Sequence, residues 1–520
     1  MLKYLTRRNE QLLAFLVALY CSVSLIISLM QAWGFTTDDA YISWYYARQL
    51  VEGKGFTWHA DLPRVEGYSN FLWIVIAALV LKLKLPLLTT MKFIGCTSLV
   101  AGLICLYKMG RLFLTPLLAM LPVFIMTHYF GVVWWTVSGL ETPLYLALSV
   151  FLAWQTMLAC GYRQVDANEE RSIFPVNNAF PWILVNICLL LLSLTRFEGV
   201  IYALPVAAFL FCQYRFNDSS LITRNFHRAA LISSIFFIIP YTLYTLWRLY
   251  YFGHWIPNSY SCKGAVASQF FVVDLDYIQV TLPLIVASLP YFLAKKDCRH
   301  LLLWLPSVLY GVMLCSANPV IAHFLRLFLG PMALFSLLPV LGGKELVSYF
   351  PTCGDTKIAT ALLIILLTVV FIPGSNHETT QRLVTHYQDR MANRMTIAKL
   401  LNEKAAKGDS VLLGDCGIIP FSLRADLRVI DTQCLNNSEL TQEPYKHNVP
   451  LYADKLSTQI KPNWVITSYF PLELHGEYLI DVLAEKNFFS NYQLVTVLKS
   501  GSESNKDKIV DYIYRIYKRK

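Results

Sequence analysis

The feature that most constrains this chain is a succession of long apolar runs between residue 11 and residue 373. A helix needs about 17 to 25 predominantly apolar residues to cross the hydrocarbon core of a bilayer. Apolar runs lie near 11–33, 70–85, 92–108, 115–132, 142–160, 181–195, 199–213, 228–250, 273–293, 300–317, 326–342 and 357–373. Composition agrees, since 56% of the residues are hydrophobic, only 15% are charged and the mean hydropathy is +0.46. Soluble domains carry about 25% charged residues. The first run is too long for the apolar stretch of a cleaved signal, and Gln31, Ala32 and Trp33 lead straight into Gly34 and Phe35 without a small-residue cleavage site. It is expected to stay as an uncleaved anchor.

The net charge of +10 does not mark a nucleic-acid partner, because the Lys and Arg residues are scattered between apolar runs. It reads instead as the positive-inside bias of a membrane protein. The run at 70–85 is the odd one. It begins at Asn70, carries Lys82 and Lys84, and is followed by Pro86. If it lies in or on the outer interface, about eleven spans remain and the cations sort by side. Lys3, Arg7, Arg8, Lys108, Arg111, Arg163, Arg171, Arg215, Arg224, Arg228, Lys295, Lys296, Arg299, Lys344 and Lys357 then face the cytoplasm with the N-terminus. The loops poor in Lys and Arg face outward, together with the tail.

The expected organisation is a polytopic α-helical membrane bundle over 1–374, with an outer loop at 34–91, and a soluble extracytoplasmic α/β domain over 375–520. In the tail a helical run over 378–406 stops at Gly408, and strand-like runs follow at 410–414, 427–431, 463–467 and 492–498. Strands alternating with helices predict a partly parallel sheet.

Two adjacent carboxylates, Asp38 and Asp39, open an aromatic-rich helix that closes on Glu52-Gly53. Asp38 reads as its N-cap and Gly53 as its C-cap. Either the pair simply caps the helix and favours its dipole, or one carboxylate takes a proton from an acceptor hydroxyl while the other orients it. Arg64-Val65-Glu66-Gly67-Tyr68-Ser69-Asn70 follows in the same loop. Trp33, Trp44, Trp58, Trp73, Trp134 and Trp135 read chiefly as an interfacial aromatic belt, with a few able to stack on a sugar or flank a lipid chain.

An acidic pair in the first outer loop, then Glu-Gly-Tyr-Ser-Asn before an apolar segment, resembles the GT-C superfamily of membrane glycosyltransferases. The closest likeness is to the bacterial branch that includes the mycobacterial arabinofuranosyltransferases. The resemblance continues through Ser138-Gly139-Leu140-Glu141-Thr142-Pro143 and through Leu194-Thr195-Arg196-Phe197-Glu198-Gly199, where Phe197 replaces the family's proline. It includes Tyr250-Tyr251-Phe252-Gly253, Pro257-Asn258-Ser259-Tyr260 and Lys263, and in the tail Gly414-Asp415-Cys416-Gly417-Ile418-Ile419-Pro420 with Arg428-Val429-Ile430-Asp431.

The resemblance implies a sugar donor on polyprenyl phosphate, used at the outer face of a bacterial cytoplasmic membrane. The acceptor is a hydroxyl of an envelope glycan, a lipopolysaccharide or a protein. Asp38 or Asp39 is the expected base of an inverting displacement. A donor phosphodiester needs cations, for which Arg196, Arg326 and Lys263 are candidates, with Arg48 and Arg64 behind them. Glu66, Tyr68, Asn70, Glu141, Glu198 and Asn258 complete the candidate substrate contacts. No cofactor is expected. The acidic pair is able to hold a divalent ion, but a leaving monophosphate guided by Arg needs none. Cys416 and Cys434 are either a disulfide of the outward domain or two buried thiols.

Two other classes compete with the enzyme. A transporter or flippase of lipid-linked sugar would show repeated halves and broken helices at mid-membrane, and no 20–50-residue repeat is visible in the sequence. A non-catalytic envelope assembly protein leaves the paired carboxylates unexplained.

Overall fold

The computed structural model of the chain describes residues 6–59, 63–165, 179–216, 231–262, 272–294, 297–315, 319–350, 355–446, 448–471, 475–504 and 507–520. Lys263 lies outside them, as do the loop cations Arg171, Arg224, Arg228, Lys295 and Lys296. Two compact units emerge. One gathers Met1–Ala32, Lys92–Thr245 and Ala265–His377, and the other Trp33–Met91, Leu246–Gly264 and Glu378–Lys520.

The first unit is helical. Among the described residues, five helices of the chain are long and apolar enough to cross a membrane, from Arg7–Ala32 to Asp274–Ala294. A sixth candidate, His323–Phe335 with Leu337–Ser348, is bent by 41° at its break. Leu12, Phe15, Leu16, Leu19 and Met30 point outward from the first helix, as a lipid-facing surface demands. Length separates the remaining apolar helices, which run 10–17 residues. The run at 115–132 is divided at Tyr129 into Pro116–His128 and Phe130–Thr136.

The second unit joins the 33–91 loop to the tail. The helix Phe71–Lys82 has 12 residues, about 18 Å at 1.5 Å per residue, well short of a hydrocarbon core of about 30 Å. In the tail, β1 (Ser410–Leu413) lies between β2 (Arg428–Asp431) and β3 (Trp464–Phe470), all parallel. The short β4 (His475–Gly476) pairs with the end of β3, while β5 (Tyr492–Ser504) and β6 (Asp507–Arg519) form an antiparallel ribbon. The sheet order is β2-β1-β3-β6-β5. Leu412, Ile430, Val465, Leu456, Leu479 and Leu483 form the core over which the helices pack.

Strand β6 does not appear among the runs expected from sequence. Asp507, Lys508, Asp511, Arg515, Lys518 and Arg519 break up its apolar pattern. Its strand conformation is supported by pairing with β3 on one side and β5 on the other.

The tryptophans correct the aromatic-belt expectation. Trp44, Trp58, Trp73, Trp134 and Trp135 are buried. Tyr45 and Tyr46 pack on Trp58 at centroid distances of 4.5 and 5.9 Å, so these rings form the core of the loop. Rings of this size contribute a large share of the apolar area that such a core buries.

Candidate active site

Asp38 and Asp39 begin the helix Asp38–Val51, whose N-cap is Thr37. Asp38 therefore does not cap its own helix, contrary to the reading from sequence. Its carboxylate reaches residues far along the chain, accepting the Gly417 N–H on Oδ2 and the Ile418 N–H on Oδ1, each at 3.0 Å. It thereby satisfies the opening amides of Ile418–Ser422, which would otherwise be left without partners. Gly417 is required for this approach, because a Cβ there would run into the Asp38 carboxylate and carbonyl oxygen. Past the C-cap Glu52, Gly53 adopts φ +77°, as a glycine beyond a helix end does.

A second carboxylate lies beside the first. Arg394, on the helix His377–Lys404, places its Nε 3.7 Å from Asp38 Oδ1 and its Nη2 3.3 Å from Asp415 Oδ2. Asp415 also accepts the Tyr512 hydroxyl at 2.7 Å and the Tyr514 hydroxyl, both from β6. Two carboxylates thus share one guanidinium. Burial pushes Asp38 above its ordinary value, with the charge of Asp415 adding to the rise and Arg394 and the Ile418 N–H opposing it. Burial acts the same way on Asp415, but Arg394 and the two tyrosine hydroxyls outweigh it and hold that carboxyl below the usual range. Asp39 is half-buried. Its charge adds to the upward push that burial gives the Tyr387 hydroxyl.

The other loop residues singled out from sequence bind protein. Glu66 forms a buried fork with Arg248, at 2.8 Å to Nε and 2.5 Å to Nη2. Asn70 bonds Ser43 Oγ at 3.0 Å. Asn258 donates to the carbonyls of Cys434 and Leu435 at 2.7 and 2.9 Å. Tyr68 is buried against Tyr46, with centroids 4.9 Å apart. Arg48 donates to the Phe421 carbonyl at 2.6 Å, and Arg64 lies 4.3 Å from the centre of the Tyr251 ring. Cys434 is bonded to Cys262, not to Cys416, which is a buried free thiol. That disulfide ties the 246–264 segment to the tail.

The first unit holds a separate cluster. Arg196 sits in extended backbone between the helix Phe180–Thr195 and the 3₁₀ turn Phe197–Tyr202. The break forms with Phe, not Pro, at position 197. Gly199 permits it, since a Cβ there would meet the Leu192 carbonyl. Arg196 pairs through Nε with Glu198 and through Nη1 with Glu141. Among the described residues, its Nη2 donors bond no protein atom. Arg326 Nη2 lies 3.6 Å from the same Glu141, with its guanidinium 5.1 Å from the Trp135 ring centre. Just before Arg326, Phe324 and Leu325 take φ +47° and +54°. Left-handed backbone at two bulky residues costs about 1–3 kcal/mol each and collects at functional sites.

Arg394, Asp415, Tyr512, Tyr514 and Arg248 were not among the candidates from sequence. Only Asp415 carried a signal, inside the Gly-Asp-x-Gly-x-Ile-Pro run. Arg394 lies on an ordinary charged helix and the tyrosines on the unexpected strand. No group of three or more His, Cys, Asp or Glu side chains suited to a metal ion occurs among the described residues.

A domain family of unknown function, DUF8728, matches residues 381–517. No curated protein matches the chain by sequence. Several solved structures are similar. ArnT from Cupriavidus metallidurans, bound to undecaprenyl phosphate, is 9% identical over 96% of this chain and 97% of its own, with a TM-score of 0.57. An Archaeoglobus fulgidus oligosaccharyltransferase in the apo form is 10% identical over 95% of this chain and 75% of its own, with a TM-score of 0.54. Arabinofuranosyltransferase AftD from Mycobacteria is 13% identical, covering 100% of this chain and 40% of its own, with a TM-score of 0.54. At such identities the likeness is one of fold, and the fold is that of GT-C membrane glycosyltransferases.

Proposed function

We propose that this integral membrane protein is a glycosyltransferase that moves a sugar from polyprenyl phosphate to an acceptor hydroxyl on the outer face of a bacterial cytoplasmic membrane. The observation that carries the reading is Asp38, a carboxylate held by two backbone amides beside a second acid and a single arginine. Such a group is fixed in place before any substrate arrives, and its raised affinity for a proton suits a general base. Each of its oxygens keeps a lone pair beyond the amide bond it accepts.

In this reading the acceptor O–H gives its proton to Asp38, and its oxygen attacks the anomeric carbon from the side opposite the phosphate. The new glycosidic C–O bond forms as the sugar–phosphate C–O bond breaks. The configuration inverts, and polyprenyl monophosphate leaves with the electron pair. Asp39 orients the acceptor. Arg196 and Arg326 serve the phosphate, a role supported by the uncommitted Nη2 end of Arg196 and by the strained backbone before Arg326. Glu141 and Glu198 hold the Arg196 fork in one orientation. Glu66 ties the loop to the 246–264 segment through Arg248, Asn258 ties that segment to the tail, and Asn70 bonds Ser43 within the loop. The reaction as drawn uses no metal or other cofactor. Lys263, Arg48 and Arg64 remain candidates for substrate contact. The acceptor is an envelope glycan, a lipopolysaccharide or a protein.

The test is replacement of Asp38 or Asp39 by Asn in the source cells, with envelope glycans compared by mass spectrometry. Asp38→Asn is expected to lower transfer by about 10²–10⁴-fold, with a lowered melting temperature because Asn offers one acceptor oxygen to two amides, while the folded protein keeps its binding of undecaprenyl phosphate. Glycans unchanged in the Asp38 variant would sink the proposal.

A further inference from the structure

The tail contributes more to Asp38 than two amides. We infer that Arg394 and Asp415 are positioning residues for Asp38, so that the Gly-Asp-x-Gly-x-Ile-Pro turn of the tail is part of the catalytic apparatus. The inference rests on the reading of Asp38 as the base.

Geometry carries it. The turn after β1 presents three groups to the Asp38 side chain within four residues: the Asp415 carboxylate and the Gly417 and Ile418 amides. Arg394 comes from another element and lies against both carboxylates. Arg394 is in turn fixed by the Tyr514 hydroxyl, which its Nε meets at 2.8 Å. The same hydroxyl donates to Asp415, and Tyr512 does so from the same strand. The guanidinium therefore has little freedom to leave the pair of acids.

Other charged or titratable groups face this cluster. Asp39 and Tyr41 do so from the helix of Asp38, and Cys416 does so from the turn itself. Further back, Glu477 stands behind the turn, where a Cβ on Gly414 would touch its carboxylate at 2.5 Å. A second cation, Arg390, lies one turn before Arg394 on the same helix, 4.8 Å from the Tyr512 ring centre and beside Tyr387. A structural tie between loop and tail would need only the amides and the Asp38 carboxylate. It gives no reason for a second acid to be held within reach of the same arginine.

The arrangement makes a signed prediction. Removing Arg394 takes away the cation that lies against both carboxylates, so Asp38 should hold its proton to higher pH. Removing the charge of Asp415 takes away a repelling anion, so Asp38 should release its proton at lower pH. An opposite charge at this range moves a carboxyl by about 1–3 units.

The measurement uses the purified full-length protein in detergent. Labelling of Asp38 by dicyclohexylcarbodiimide, which attacks protonated carboxyls, is followed against pH by peptide mass spectrometry. Arg394→Gln is expected to raise the labelling midpoint by about one unit or more, Asp415→Asn to lower it, and Arg394→Lys to leave it near that of the unaltered protein. Midpoints that coincide in all variants, or that move the same way in Arg394→Gln and Asp415→Asn, overturn the inference. If Arg394→Gln does not fold, Asp415→Asn decides by itself, since an unmoved or raised midpoint there is already fatal. The two readings fail differently. Transfer retained by Asp38→Asn removes the base, whereas transfer lost there but with unmoved midpoints removes only the roles of Arg394 and Asp415.

Discussion

The two charged clusters of this protein are built on opposite ratios. In the helical unit two arginines, Arg196 and Arg326, face two glutamates, Glu141 and Glu198. In the loop-and-tail unit one arginine, Arg394, faces two aspartates, with Asp39 next in sequence to one of them. A balanced cluster holds its cations at full charge and in fixed orientation, which suits the binding of an anion. A cluster in which acids outnumber the cation cannot ionise them equally easily. One acid is held charged and the other is pushed toward its proton. On the proposed reading, the first cluster grips the donor phosphate and the second exchanges a proton.

The largest expected effect breaks the balanced cluster. Arg196→Gln leaves Glu198, which is only 4% exposed, without its arginine. Stranding a buried charge in this way costs about 3–5 kcal/mol, read as a lowered denaturation midpoint. Arg196→Lys keeps the charge but loses the fork. It should fold and yet bind undecaprenyl phosphate about tenfold more weakly, a loss near 1.4 kcal/mol. A variant that binds as well as the unaltered protein would remove Arg196 from the phosphate site.

The acid-rich unit should respond to pH in a direction opposite to the usual one. Burial pushes Glu477 up to about 7, against bonds from Ser468 and Thr432 that lower it. Its value in the unfolded chain is near the ordinary 4.5. Between these two values the folded state binds more protons than the unfolded one, so stability falls as pH rises through that window. The full effect is of order 3 kcal/mol. Asp431, pushed by burial to about 6, acts in the same sense. Thermal unfolding at pH 5 and pH 8 measures it, and Glu477→Gln should flatten the difference. A loss of stability on acidification across this window would mean that the buried acids are charged and paired.

The smallest effect sharpens the comparison from the other side. Arg326 lies 3.6 Å from Glu141, farther than a direct hydrogen bond. Arg326→Lys should weaken undecaprenyl phosphate binding only a few-fold, about 1 kcal/mol. An effect as large as that of Arg196→Lys would make the two arginines equal partners.

Much of this was legible from the chain alone. Each long apolar run is helical at least in part, because backbone polar groups within a run must be satisfied locally. The four strand-like runs of the tail start within one residue of their expected positions and form its parallel core with one arm of the ribbon. Helix length does not by itself decide how many runs cross, since several are shorter than the bilayer core. The disulfide was not legible, because Cys262 and Cys434 are 172 residues apart and nothing local marks the pair.

The sequence by itself determined the membrane class, the order of helices, the mixed tail and the place of the acidic pair at the start of a helix. Those follow from hydropathy and from short motifs, which are properties of neighbouring residues. Only the tertiary structure decided what Asp38 does with its carboxylate. The expected cap of its own helix is instead a clamp on residues 417 and 418, and its charge is governed by Arg394 and Asp415. Hydrogen bonds and Coulomb interactions act over a few ångströms, whatever the separation along the chain. Partners 350 or more residues away are therefore invisible until the chain has folded.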